Sequence, residues 1–120
     1  MPGGVKTLYR PVGQAELDRI QASGFRAFPP RLPHQPIFYA VLTEQYATQI
    51  ARDWNTKDAA SDFIGYVLGF EVQEEFLSRY RIRVVGDSRH QEYWISAAEL
   101  DQFNQHIVGR IQILAVHRSL

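Results

Sequence analysis

The chain has 120 residues, a length that fits one domain, and its 45% hydrophobic and 12% aromatic content favours a packed core. Its 13 Lys and Arg balance 13 Asp and Glu, so the net charge does not indicate a nucleic-acid partner. The absence of cysteine excludes disulfides and thiolate metal sites. No apolar run is long enough to cross a membrane, so we expect a cytoplasmic protein with no membrane partner.

We expect residues 1–6 to form a flexible N-terminal segment and residues 7–118 to form a single domain. The first strand-like run covers residues 5–10 and is stopped by Pro11. A helix is predicted over residues 14–23, ending before Gly24.

The next segment, residues 25–36, contains four prolines, which predicts a stiff, extended loop. A strand over 37–42 follows, and Thr43 is the predicted cap of a helix that runs to about residue 55. This helix has three apolar side chains at helical spacing, which predicts that they lie in the core: Tyr46, Ile50 and Trp54.

A polar loop over 56–62 precedes a long strand-like run over 63–72. Gly65 and Gly69 within this run predict a bulge, a bend or the close approach of another group. The remaining predicted elements are helical turns over 73–80, strands over 82–85 and 92–95, and a last strand over 111–116.

Ser96 and Glu99 match a capping box, which predicts a helix that runs to about Ile107 and is ended by Gly109. Strands and helices do not alternate regularly along the chain. The expected fold class is therefore α+β, with a split mixed or antiparallel sheet.

Glu92 is the most informative candidate for a functional residue, because it lies in an aromatic strand beside Tyr93 and Trp94. Glutamate is depleted in strands and is rarely buried without a partner. Two interpretations follow: Glu92 lies on a solvent-exposed face of the sheet, or it is held in a cleft for a chemical purpose.

Other sites are not indicated by the motifs. The glycines match neither a phosphate-binding loop nor a dinucleotide fingerprint. The four histidines lack metal-ligand spacing, and no nucleophile elbow supports a hydrolase triad, so we expect no metal site.

A family resemblance runs from Thr7 to about Arg118. The segments that carry it are LYRPVG, SGFRAFPPRLPHQPIFYAVL, YATQIARDWN and EYWISAAELDQFNQHIVG. On these segments the chain resembles small bacterial proteins often labelled "ADP-ribosylation/crystallin" proteins. The order of its polar residues also resembles the ADP-ribosyltransferase fold, whose NAD cleft uses an Arg or His on the first strand, a Ser or Tyr on a middle strand and a Glu on a late strand.

The resemblance implies three catalytic residues. Arg10 would contact the phosphate or ribose of NAD, Tyr39 would line the nicotinamide pocket, and Glu92 would stabilise positive charge as the nicotinamide–ribose bond breaks. It implies an NAD-dependent transferase whose substrate and cofactor is NAD. One branch of that fold has a Glu or Gln two residues before the catalytic Glu, where this chain has His90, and a Ser-Thr-Ser motif, which this chain lacks.

Further cofactor-binding candidates are Arg31 and His34, which, with Arg26, lie in the proline-rich loop, and Tyr46 on the following helix. The alternative to an enzyme is a non-catalytic module that binds a nucleotide or another protein. In either case we expect a nucleotide or small-molecule ligand, and the acceptor is unknown.

Overall fold

The computed structural model describes residues 3–119. They form six strands and four α-helices. In chain order these are β1 (Val5–Val12), α1 (Gln14–Ala22), β2 (Ile37–Val41), α2 (Glu44–Asp53), β3 (Ile64–Gln73), α3 (Glu74–Leu77), β4 (Arg83–Val84), β5 (Gln91–Ser96), α4 (Leu100–Gln105) and β6 (Ile107–Arg118). Short 3-10 turns cover Asn55–Lys57, Ala59–Ser61 and Ala97–Glu99.

The six strands form one sheet in the order β4-β5-β2-β1-β3-β6, and each pair of neighbours is antiparallel. The prediction of an α+β domain with an antiparallel sheet is therefore confirmed. No helix within residues 3–119 is both long and apolar enough to span a membrane.

The sheet is weakly joined at its centre, between β1 and β2. β1 pairs with β3 along its whole length, from Val5 to Val12, but its register with β2 consists of the pair Tyr9 and Val41. Beyond Tyr9 the two strands separate. This separation explains why Pro11 continues β1 instead of stopping it, since a proline is tolerated where a strand lacks a partner on one side.

The core lies on both faces of the sheet, because successive strand residues point to opposite sides. The larger core packs α1, α3, α4 and the proline-rich loop against one face, and its fully buried rings are Phe28, Phe38 and Phe103. The opposite face is covered by α2 over a smaller cluster that includes Val41 and Ala47. We call these the α1 face and the α2 face.

Gly65 lets α2 lie close to the sheet. A Cβ atom at this position would lie 2.6 Å from the carbonyl oxygen of Ala51, too close for any side chain. The predicted close approach at Gly65 is confirmed, and it fixes how near α2 comes to the strands beneath it.

The ends of the chain differ from the prediction. Val5 and Lys6 pair with β3 and belong to the sheet, so the predicted flexible segment is wrong for these two residues, while residues 1 and 2 lie outside the described part. Gly109 does not end a helix. It lies inside β6 with φ at 77°, in a stretch where the β3–β6 register is irregular.

Two helix predictions also need correction. Ser96 makes no side-chain cap bond, and Glu99 instead accepts a hydrogen bond from the Tyr80 hydroxyl, so the capping box is absent. Trp54 is not a core residue. Because α2 ends at Asp53, Trp54 is the residue that caps the end of the helix, and it is 73% exposed.

Candidate functional site

A cavity of about 1200 Å³ opens on the α2 face, beside the place where β1 and β2 separate. The three predicted catalytic residues all line it. They come from three neighbouring strands of the sheet: Arg10 from β1, Tyr39 from β2 and Glu92 from β5. Another cavity, between α2 and residues 88–91, contains none of these three residues.

Glu92 is buried, with 7% of its surface exposed. Its Oε2 accepts a hydrogen bond from the Tyr46 hydroxyl, and its Oε1 accepts one from the indole Nε1 of Trp94 at 2.8 Å. The interpretation of Glu92 as a solvated residue on an exposed face is therefore wrong. Among the ion pairs of the described residues, none includes Glu92, so neutral donors hold its carboxyl group.

Alternation along β5 explains this arrangement. Tyr93 and Ile95 point into the larger core, so Glu92 and Trp94 point together to the α2 face. The register pairs Glu92 with Val41, which belongs to the cluster under α2.

Tyr46 reaches Glu92 from the first turn of α2. Thr43 caps this turn as predicted, and its hydroxyl accepts a hydrogen bond from the Tyr46 amide at 3.1 Å. Burial, the hydrogen bond to Glu92 and the charge of Glu92 raise the pKa of Tyr46 well above its usual range, so its hydroxyl stays a donor. Tyr46 does not line the Glu92 cavity. It lines the cavity between α2 and residues 88–91 and bonds Glu92 from there.

Three aromatic side chains border the cavity. Tyr39 is 42% exposed, and its ring lies nearly perpendicular to that of Trp94, at 85°, with a centroid distance of 5.9 Å. Trp54 lies at the end of α2. The guanidinium of Arg83 covers the ring of Trp94 at 4.6 Å. These rings supply flat surfaces, and Val41 and Ile50 add aliphatic surface beside them. Such a lining suits a planar ligand.

Arg10 and Glu92 point to opposite faces of the sheet. Leu8, Arg10 and Val12 alternate onto the α1 face, and the Arg10 guanidinium lies 4.4 Å from the ring of Phe38. It binds both carboxylate oxygens of Glu16 on α1, at 2.7 and 3.0 Å. Arg10 and Glu92 therefore do not approach each other directly, although both residues line the same cavity.

A second cavity, of about 360 Å³, also borders Arg10, and its charged lining residues are the cations Arg19 and Arg31 and the carboxylates Glu16 and Asp58. It shares Arg10, Pro11 and two further residues with the first cavity, so the two adjoin. We refer to them together as the cleft.

Two buried polar atoms in the cleft lack a hydrogen-bond partner: Nε of Arg31 and Oδ1 of Asn55. Burial and the nearby charge of Arg10 lower the pKa of Arg31, and the carboxylate of Glu16 partly offsets this effect. A buried polar group without a partner is costly, so these atoms are suited to bind a ligand. An anion beside Arg31 and Arg10 would also relieve the repulsion between the two guanidinium groups.

The proline-rich loop contributes five residues to this second cavity: Pro29, Pro30, Arg31, Leu32 and Gln35. His34 is exposed and lines neither part of the cleft, and Arg26 is also exposed. The structure therefore places one of the two predicted cofactor-binding residues of this loop at the cleft, Arg31, and leaves His34 outside it.

Trp94 and Asn55 are site residues that the sequence reasoning missed. Trp94 stands two positions after Glu92 in a strand, a spacing that puts both side chains on one face, so that signal was present. Asn55 had no comparable signal, because its position depends on how the 3-10 turn after α2 packs.

Among residues 3–119, no three histidine, aspartate or glutamate side chains cluster so that they could hold a metal ion. Comparisons of the chain with known protein families, with curated proteins and with solved structures found no match.

Proposed function

We propose that the cleft binds NAD and that Glu92 promotes cleavage of the nicotinamide–ribose bond, so that ADP-ribose is transferred to an acceptor. One observation carries the proposal: Glu92 is buried at a cavity that Arg10 and Tyr39 also line, and these residues come from three adjacent strands. We further propose that the antiparallel sheet is of the ADP-ribosyltransferase type, because Arg10, Tyr39 and Glu92 stand on a first, a middle and a late strand of the chain, as the resemblance implies.

The chemistry requires a carboxylate at this place. When the bond between the ribose C1′ and the nicotinamide nitrogen breaks, nicotinamide leaves with the bonding electron pair and positive charge develops on the ribose. A fixed anion in a partly desolvated cavity stabilises this charge. The acceptor then forms a bond to C1′ and releases its proton.

Glu92 suits this role because its hydrogen-bond donors, Tyr46 and Trp94, are neutral. A lysine or arginine bound directly to the carboxylate would cancel part of the charge that the reaction needs. The donors orient the group without neutralising it.

The remaining surfaces of the cleft agree with a dinucleotide. Tyr39, Trp54 and Trp94 offer aromatic faces to nicotinamide or adenine. Arg10 lines both cavities and Arg31 lines the second, and their side chains could pair with phosphate oxygens, for which guanidinium groups are well suited.

A second candidate function is nucleotide binding without catalysis. The observation that favours it is the bidentate bond between Arg10 and Glu16, which keeps the Arg10 guanidinium on the opposite face from Glu92. A cleft of this kind could retain a nucleotide and never assemble a complete catalytic centre.

The two candidates differ in a simple experiment on the wild-type protein and Glu92→Gln. NAD at millimolar concentration should raise the melting temperature in both proteins, because a ligand that binds only the folded state stabilises it. Nicotinamide release, measured by chromatography, should occur in the wild type and be lost in Glu92→Gln. The control is Glu99→Gln, which removes a carboxylate that also bonds a tyrosine but lines neither cavity.

Each outcome has a distinct meaning. A melting-temperature shift without nicotinamide release supports the non-catalytic module. Release that persists in Glu92→Gln excludes Glu92 as the stabilising anion. If NAD neither shifts the melting temperature nor is cleaved, the proposed function is wrong.

A further inference from the structure

We propose that Tyr46, together with Trp94, is a positioning residue that fixes the carboxylate of Glu92 in the orientation that the reaction needs. This inference rests on the proposed function, because it assigns residues that act through Glu92. It differs from the role predicted for Tyr46 from the sequence, which was cofactor binding.

Each oxygen of Glu92 has its own donor, the Tyr46 hydroxyl for Oε2 and the Trp94 indole for Oε1. Rotation of the carboxylate would break both bonds in a buried environment, where an unpaired polar group is costly. The two donors therefore define one orientation of the group.

Tyr46 is itself held in place. Its ring stacks face to face on the imidazole of His90, with centroids 4.3 Å apart and planes 5° from parallel. Its amide is fixed by the Thr43 cap. A residue whose own position is locked by packing and hydrogen bonds can orient a catalytic group closely.

Tyr46 lies outside the Glu92 cavity. Trp94 borders the cavity and Tyr46 does not, so a ligand there would contact Glu92 and Trp94 but not the tyrosine. Loss of the Tyr46 hydroxyl should consequently change the reaction rate and leave ligand affinity unchanged.

The matched pair of variants is Tyr46→Phe and Tyr80→Phe. Tyr80 also donates to a carboxylate, Glu99, at 2.8 Å, but it lines neither part of the cleft. Tyr46→Phe keeps the ring that stacks on His90, so the fold should be preserved, and a melting curve checks this. We expect kcat for nicotinamide release to fall about ten- to a hundredfold in Tyr46→Phe, with KM for NAD unchanged. Tyr80→Phe should retain the wild-type kcat.

A second measurement tests the positioning without any need for activity. The chain has two tryptophans, so an amide correlation spectrum contains two indole signals, one from exposed Trp54 and one from Trp94. The Trp94 indole proton should exchange slowly because it is bonded to Glu92. Tyr46→Phe frees the carboxylate and should speed this exchange about tenfold or more, while Tyr80→Phe should leave it unchanged.

Failure of this inference is distinct from failure of the proposed function. A wild-type protein that releases no nicotinamide contradicts the function, and the indole exchange then still decides whether Tyr46 holds Glu92. If the Trp94 indole proton of Tyr46→Phe exchanges at the wild-type rate, the positioning role is wrong, whether or not the protein is active. If the wild-type protein is active, a kcat in Tyr46→Phe equal to the wild-type kcat also overturns the positioning role.

Discussion

The guanidinium of Arg10 donates through Nη1 to the main-chain carbonyl of Tyr39, over 2.8 Å, at the place where β1 and β2 stop pairing. Continuing the antiparallel register by two residues would set Pro11 opposite Tyr39, and proline has no N–H to donate. The side chain of Arg10 therefore donates to the Tyr39 carbonyl the hydrogen bond that the main chain of Pro11 cannot donate. The strands stay apart there, and the cleft opens beside the gap.

This arrangement depends on Glu16, whose carboxylate accepts hydrogen bonds from Nε and Nη2 of Arg10. We expect Glu16→Gln to lower the free energy of unfolding by about 1–3 kcal/mol, because two charge-assisted hydrogen bonds to a mostly buried arginine are weakened. Urea unfolding at neutral pH measures the loss.

The control for this prediction is Asp18→Asn on the same helix. Asp18 is exposed and bonds the side chain of Gln14, so its loss should change the stability by less than about 0.5 kcal/mol. Equal effects of the two substitutions would mean that the Arg10–Glu16 pair has no special structural role.

Arg31 should contribute to ligand binding and little to stability. Its Nε is buried without a partner, so Arg31→Ala removes a group that the free protein does not satisfy. We expect an unchanged or slightly higher melting temperature and an affinity for NAD reduced about tenfold. Calorimetric titration at two salt concentrations should also show a weaker salt dependence, since one charge contact is lost.

Arg26→Ala is the matched control, because Arg26 lies in the same loop and is exposed. It should leave the affinity for NAD as in the wild type. If Arg31→Ala lowers the melting temperature and leaves the affinity unchanged, Arg31 is a structural residue of the loop and not part of the binding site.

Most of the local structure could be predicted from the sequence, because local signals decide it. Thr43 caps α2 as expected, and the prolines of residues 25–36 produce the extended loop. Errors occurred where a distant contact decided the outcome. Glu99 bonds Tyr80, 19 residues away, and does not cap the turn beside it.

The same limit applies to the candidate site. The burial of Glu92 depends on Tyr46, which is 46 residues away and reaches it because α2 lies close to the sheet at Gly65. Alternation within β1 shows which residues share a face with Arg10, but it does not relate that face to the face of Glu92 on β5. That relation requires the order of the strands in the sheet. The order joins strands that are not consecutive in the chain, and residue patterns within one strand do not reveal it.

Trp54 should bind ligand and not stabilise the fold. It is 73% exposed and borders the cleft, so Trp54→Ala should change the free energy of unfolding by less than about 0.5 kcal/mol. If the indole stacks on nicotinamide or adenine, the affinity for NAD should fall about tenfold. Phe63→Ala provides the control, because Phe63 is also exposed but lines neither cavity. Equal affinity in the two variants would exclude Trp54 from the site.

Alkaline pH should destabilise the protein through Tyr46 and Tyr80. Burial and the hydrogen bond to Glu99 raise the pKa of Tyr80 to about 12, and the pKa of Tyr46 is raised further by burial and by Glu92. The ordinary tyrosine pKa in an unfolded chain is about 10. The folded state therefore holds these protons more tightly. The resulting stability is fully present below about pH 10 and is lost as the pH rises toward the folded pKa values.

The measurement is urea unfolding at several pH values between 9 and about 12. For one tyrosine the loss cannot exceed about 1.4 kcal/mol per pH unit, and solvent screening reduces it below that limit. Tyr80→Phe and Tyr46→Phe should each make stability less dependent on pH in this range. Glu99→Gln should have a smaller effect than Tyr80→Phe, because burial is the largest cause of the Tyr80 shift and remains after the carboxylate is removed. The decisive variant is the double substitution Tyr46→Phe, Tyr80→Phe. If its free energy of unfolding falls with rising pH as steeply as that of the wild type, these two hydroxyl groups are not the cause of the alkaline sensitivity.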